Sequence, residues 1–98
     1  MKKHLYSQYD KEAQFFNHVQ MSEIEPKEFA ENIRRSIVLS RDPNAVRAVA
    51  NCELVNLGTF DDETGKFDIL KKPEVIFDCQ KFINKRVEDE QRKLKKQK

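Results

Sequence analysis

The sequence predicts an α+β fold, in which a small antiparallel sheet of two hairpins surrounds a central helix and a long C-terminal helix follows. Three observations predict it. Aromatic, β-prone segments open the chain, and a proline-started stretch follows with apolar residues every three or four positions. Two further β-prone runs then flank an acidic turn that ends in glycine. The 98 residues are 38% hydrophobic and 37% charged, against typical values of roughly 45–50% and about 25%. One core is expected, and a thin one.

The first element is a strand over residues 4–10, where Tyr6 and Tyr9 sit among polar residues and Asp10-Lys11-Glu12 breaks the pattern as a turn does. A second strand runs from Phe15 to Met21, with bulky residues at 15, 19 and 21, and pairs with the first as a hairpin. Ser22 and Glu25 have capping-box spacing and Pro26 suits a first helical position. Phe29, Ala30, Ile33, Ile37 and Val38 then recur at helical intervals. These signals predict a helix over 26–40, with Lys27, Glu31, Arg34 and Arg35 on its other face. Asp42-Pro43 ends it, because the residue before a proline is pushed out of the α region. Ala45 to Ala50 reads as one more helical turn, capped by Asp42 or Asn44.

Cys52–Phe60 and Lys66–Leu70 are β-prone runs around Asp61-Asp62-Glu63-Thr64-Gly65, the pattern of a hairpin closed by a type I turn and a bulge in which glycine supplies the positive φ. Gly58 inside the first arm marks a bulge or a close backbone approach. Lys71-Lys72-Pro73 punctuates the chain, and nothing breaks a helix from Glu74 to the end. The expected organisation is a core over 1–73 and a C-terminal helix with its tail over 74–98. Ile76, Phe77, Cys79, Phe82, Ile83 and Val87 form the apolar stripe, so the helix docks at its start and projects at its end. Phe15, Phe29, Phe60, Phe67, Phe77 and Phe82 are read as packing residues.

Net charge sharpens the functional reading. The formal value is +2, yet the last eight residues hold Arg92, Lys93, Lys95, Lys96 and Lys98 and no acid. Removing those five leaves 14 basic against 17 acidic residues in positions 1–90, a body of −3 carrying a tail of +5. An acidic body with a basic arm points one end of the molecule at a polyanion.

Other chemistries find little support. His4, His18, Cys52 and Cys79 stand singly, without zinc spacing or a nucleophile signature, so neither a metal nor an enzymatic role is expected. Asp61, Glu63 and Gly65 faintly match a calcium loop, but its twelfth position, which needs glutamate, holds Lys72. Two glycines are too few for phosphate-cradling loops, and the usual nucleotide fingerprints are absent, so no cofactor is expected, nor is a small-molecule substrate. Two thiols without C-x-x-C spacing fit a reducing compartment, and neither an apolar membrane span nor a signal-peptide core is seen. The protein is expected to act inside a cell, away from membranes.

Single-stranded DNA is the expected partner. Arg92, Lys93, Lys95, Lys96 and Lys98 are the candidate phosphate contacts, with Arg34 and Arg35 as secondary ones. Tyr6 and Tyr9, together with Phe15 and Phe16, are candidate stacking residues if they lie on an exposed sheet face near those arginines. The competing reading uses Ile76, Cys79 and Ile83, at a/d-like spacing, to bind a symmetry mate as a homodimer or to bind a replication protein.

Two stretches carry a family resemblance. Leu5-Tyr6-Ser7-Gln8-Tyr9-Asp10-Lys11-Glu12-Ala13-Gln14-Phe15-Phe16-Asn17 and Leu54-Val55-Asn56-Leu57-Gly58-Thr59-Phe60-Asp61-Asp62-Glu63-Thr64-Gly65 resemble the small non-structural protein of gokushoviruses, often called viral protein five. These are single-stranded DNA phages of the microvirus family. The resemblance implies a non-virion phage protein of the host cytoplasm, described as DNA-binding and tied to single-stranded genome synthesis or packaging. It assigns no catalytic or binding residue. The basic tail lies outside both stretches.

Overall fold

The computed structural model describes residues 1–96, with side chains through Lys93. Its elements are β1 (Lys2–Asp10), β2 (Phe15–Ser22), α1 (Pro26–Leu39), α2 (Pro43–Ala48), β3 (Cys52–Asp61), β4 (Lys66–Asp78) and α3 (Cys79–Lys96). The strands form one antiparallel sheet in the order β2-β1-β3-β4. The α+β class therefore holds, with both hairpins in a single sheet and the first strand of each at its centre.

The first hairpin closes because Asp10 organises its own turn. Its Oδ1 accepts from the backbone N–H groups of Glu12 (3.0 Å) and Ala13 (2.9 Å), and its carbonyl accepts from Gln14 N–H at 2.8 Å. In β2 one extra residue interrupts the ladder between the pairs Tyr6–Gln20 and Gln8–Asn17, and His18 stands there at φ 52°. That bulge decides which β2 side chains share a face.

α1 begins at Pro26 as its sequence predicts, but the capping box does not form. Glu25 is the N-cap without a side-chain hydrogen bond, and the Ser22 hydroxyl accepts instead from Ile24 N–H at 3.1 Å. α2 is capped by Asp42, whose Oδ1 accepts from Asn44 N–H at 2.9 Å. In the second hairpin Gly65 adopts φ 72° and donates to the Asp61 carbonyl at 2.8 Å. Gly58, at φ 143°, lies so close to β4 that a Cβ there would sit 2.2 Å from the Asp68 carbonyl oxygen.

The C-terminal helix differs from its expected start. Lys71-Lys72-Pro73 does not end the strand, and residues 74–78 are not helical: β4 continues to Asp78, with Val75 opposite Val55 and Phe77 opposite Leu54. The physical reason is the position of β4 at the sheet edge together with a register irregularity: residues 70–73 have no ladder partner between the pairs Gly58–Ile69 and Asn56–Glu74, so proline's missing N–H deprives no neighbour of a bond. Asp78 then starts α3, its Oδ1 accepting from Lys81 N–H at 3.0 Å. Lys11 in the β1–β2 turn holds the junction, with its ammonium 2.7 Å from Asp78, 3.1 Å from Gln80 and 3.4 Å from Glu53.

The main hydrophobic cluster is small and lies on the helix side of the sheet. Tyr6, Phe29 and Leu54 form its centre, with Ile33, Ile76 and Phe77 packed against them. Of the expected packing phenylalanines Phe29 is buried, whereas Phe15 and Phe67 are exposed. Phe15 stands at the end of the β2 edge strand and Phe67 on edge strand β4, where neither lies under a helix.

Candidate nucleic-acid interface

Cross-strand partners in an antiparallel sheet share a face, so the register sorts the side chains. Tyr6 opposes Gln20 and Asn56, Gln8 opposes Asn17 and Leu54, and Leu54 opposes Phe77. All three helices pack on this Tyr6 face: Phe29 and Ile33 of α1 at Tyr6 and Leu54, and Val46 of α2 and Cys79 of α3 around a cavity that Gln8 and Leu54 line. The opposite face holds Tyr9 with Phe16, Leu5 with Met21, Ser7 with Val55 and Val75, and Phe60 with Phe67.

The predicted DNA-binding residues fall in four separate places. Tyr6 is wholly buried, its ring stacked 4.0 Å from that of Phe29 and its hydroxyl donating to the Ile24 carbonyl at 2.6 Å. A ring enclosed in this way is not available to a base, which corrects its assignment as a stacking residue. Tyr9 lies on the opposite face, with its ring centroid 4.8 Å from that of Phe16. Arg34 and Arg35 project from α1 on the helix side, so the sheet separates them from Tyr9. Among the described residues no continuous basic and aromatic patch joins Tyr9 to Arg34 and Arg35.

Both arginines are also engaged by an acid on their own helix. Arg34 grips the Glu31 carboxylate with two N–H groups, one at 3.0 Å, and Arg35 Nε lies 3.7 Å from it. The Arg34 hydrogen bond and charge, with the charge of Arg35, hold the Glu31 carboxyl below its usual range. A phosphate reaching these side chains meets a carboxylate already in place.

The tail stands differently. α3 docks through buried Cys79 and half-buried Phe82, Ile83 and Arg86, whose guanidinium donates to the Ile37 carbonyl at 3.4 Å. Beyond it Arg92 and Lys93 are exposed, Lys95 and Lys96 belong to the last helical turn, and Lys98 lies outside the described residues. The helix thus docks at its start and projects at its end.

Sequence reasoning missed that Phe60 and Phe67 belong to the same face as Tyr9 and Phe16, their rings 4.6 Å apart. The signal was present in the turn. Pairing Asp61 with Lys66 across it places Phe60 opposite Phe67. Lys66, Lys71 and Lys72 are exposed along β4, interleaved with the equally exposed Asp68 and Glu74.

Burial pushes both thiols up, Cys79 to about 11, so each stays protonated near neutral pH and nucleophilic attack by either is disfavoured. Among the described residues no group of three or more potential ligands could hold a metal ion, and no helix is long and apolar enough to cross a membrane. Residues 3–82 match the family model described as Phage ORF5 protein, a match that ends inside α3 and before the basic tail. No curated protein and no solved structure matches the chain.

Proposed function

The chain belongs to the phage ORF5 protein family, and from that premise we propose a non-structural phage protein of the gokushovirus type that assists single-stranded DNA genome replication or packaging. It works in the host cytoplasm, outside the virion, by binding DNA without catalysis. The observation that carries this reading is the polarity of the molecule. A body of −3 holds the first half of α3, and the five cations of the tail follow Glu90 with no acid among them. About 15 Å of helix separates the docked Arg86 from Lys96, so the charges nearest the end stand farthest from the acidic body, while Arg92 and Lys93 follow Glu88, Asp89 and Glu90 within two turns of the same helix.

The tail is favoured over the adaptor alternative because the 76–87 stripe is largely spent inside the fold. Ile76 and Phe77 pack against the core from β4, Cys79 is buried, and the Phe82 ring lies 5.5 Å from that of Phe77. Fluorescence anisotropy with a labelled single-stranded oligonucleotide tests the reading, comparing the intact chain with one ending at Glu90. Binding by the intact chain and its loss on truncation support it. Equal affinity of both forms removes the tail, and binding by neither removes DNA as the partner.

A further inference from the structure

We propose that the helix-free face of the sheet is a dimer interface, closed by the same face of a second copy of this chain. The proposal goes beyond DNA binding and stands independently of it. Six side chains on this face, Phe16, Val19 and Met21 on β2 and Phe67, Ile69 and Val75 on β4, are between 46% and 62% exposed. Between them Leu5 and Val55 are already buried. The arrangement is therefore two apolar rims along the sheet edges, flanking a closed centre.

The β2 rim exists because of the bulge. Phe16 and Val19 are three residues apart and would point to opposite faces of a regular strand; the extra residue at His18 brings them together. A bulge that gathers exposed apolar side chains on one face calls for something to cover them.

Area and charge select the occupant. Taking a free phenylalanine side chain as about 150–250 Å² and scaling the others to it, the six leave on the order of 600 Å² exposed per copy, at the upper limit for an ordinary monomer. Two copies face to face cover on the order of 1,200 Å², the lower bound of a specific stable interface. Some of the charges bordering the face are paired within the chain, whereas Lys71 and Lys72 stand exposed on β4 between Ile69 and Val75. Lys3 lies 3.9 Å from Asp62, the N-terminal ammonium 2.7 Å from Asp62, and Lys11 3.4 Å from Glu53. An isologous contact requires only that one patch fit itself. DNA is the poorer occupant: Val19, Met21, Ile69 and Val75 offer no stacking surface, Tyr9 and Phe60 are half-buried against Phe16 and Phe67, and the body is acidic. The dimer presents two basic tails on one particle.

Sedimentation equilibrium of the full chain, without DNA, at about 1–100 μM and at two salt concentrations tests the proposal. Two chains per particle are expected, with association unchanged or tighter at high salt, as apolar burial requires. Val19→Glu combined with Phe67→Glu should weaken association on the order of a thousandfold, because a twofold axis counts each substitution twice, while circular dichroism stays unchanged. Met21→Lys alone reads the same face if the double variant loses its fold. A wild-type chain that stays single at the highest concentration overturns the proposal, as does a dimer that survives the folded variants. So does a single-chain wild type whose DNA affinity those variants abolish, since DNA is then the occupant.

Discussion

Tyr6 and Phe29 stack with centroids 4.0 Å apart and 20° between their planes, which makes a β1 tyrosine the point where α1 locks onto the sheet. Phe29→Ala removes one side of the stack in a core of few residues and should cost about 3–4 kcal/mol in urea unfolding. Tyr6→Phe keeps the ring but leaves the Ile24 carbonyl without its donor, at about 1 kcal/mol. Neither change should alter the DNA affinity of the folded protein.

The same burial makes Tyr6 an alkaline switch. Burial first, and then the charges of Glu25 and Glu74, push its phenol from 10.0 up to about 12. A raised pKa means that the folded state keeps the proton while the unfolded state loses it. This contribution to stability is complete below pH 10 and falls away between 10 and 12, by on the order of 2 kcal/mol. Unfolding measured along that pH range should show the decline in the wild type and a flatter curve in Tyr6→Phe.

Gly58 and Gly65 should respond differently to alanine, though both have positive φ. At Gly58 the new Cβ meets the Asp68 carbonyl oxygen at 2.2 Å, so β3 and β4 must separate; a loss above about 3 kcal/mol is expected. At Gly65 nothing lies within 4 Å of a Cβ, and only the conformational penalty of about 1 kcal/mol applies. Thermal or urea unfolding of the two variants reads the difference. Similar costs would show that the hairpin arms do not approach as described.

Asp78 joins two tasks, capping α3 and pairing with Lys11. Burial alone raises its carboxyl, but hydrogen bonds from Lys11 and Lys81 and the charges of both outweigh that and hold it below 3.8. A depressed carboxyl stabilises the fold above the unfolded value and stops doing so as pH falls through the folded one. Asp78→Ala should cost about 1–2 kcal/mol at neutral pH, and Asp78→Asn less, since asparagine caps nearly as well. Both variants should flatten the wild type's loss of stability below pH 4, measured by denaturant titration at each pH.

Most of the fold was legible where local chemistry is self-sufficient: Pro26 opening α1, Asp42 before α2, and the Asp61–Gly65 turn. The end of β4 was not. Val75, Ile76, Phe77 and Cys79 form an apolar run too short for periodicity to separate strand from helix, and Pro73 reads as a break unless its strand is known to be an edge. Asp78 carried the missing cap signal. The tail's charge was legible by counting, whereas the joining of Phe16 to Val19 depends on one bulged residue, His18, for which a sequence pattern provides no sign.

The basic tail makes a prediction in salt. If all five charges of the tail meet phosphates of single-stranded DNA, the log of the affinity should fall against the log of salt with a slope of about −3.5, roughly a hundredfold between 50 and 200 mM. The chain ending at Glu90 should lose both the affinity and the slope. Replacing Arg34 and Arg35 by glutamine should change the slope little, because Glu31 already occupies them. Anisotropy titrations across that salt range measure all three forms. A slope that survives truncation but disappears with the two arginines would move the phosphate contacts from the tail to α1.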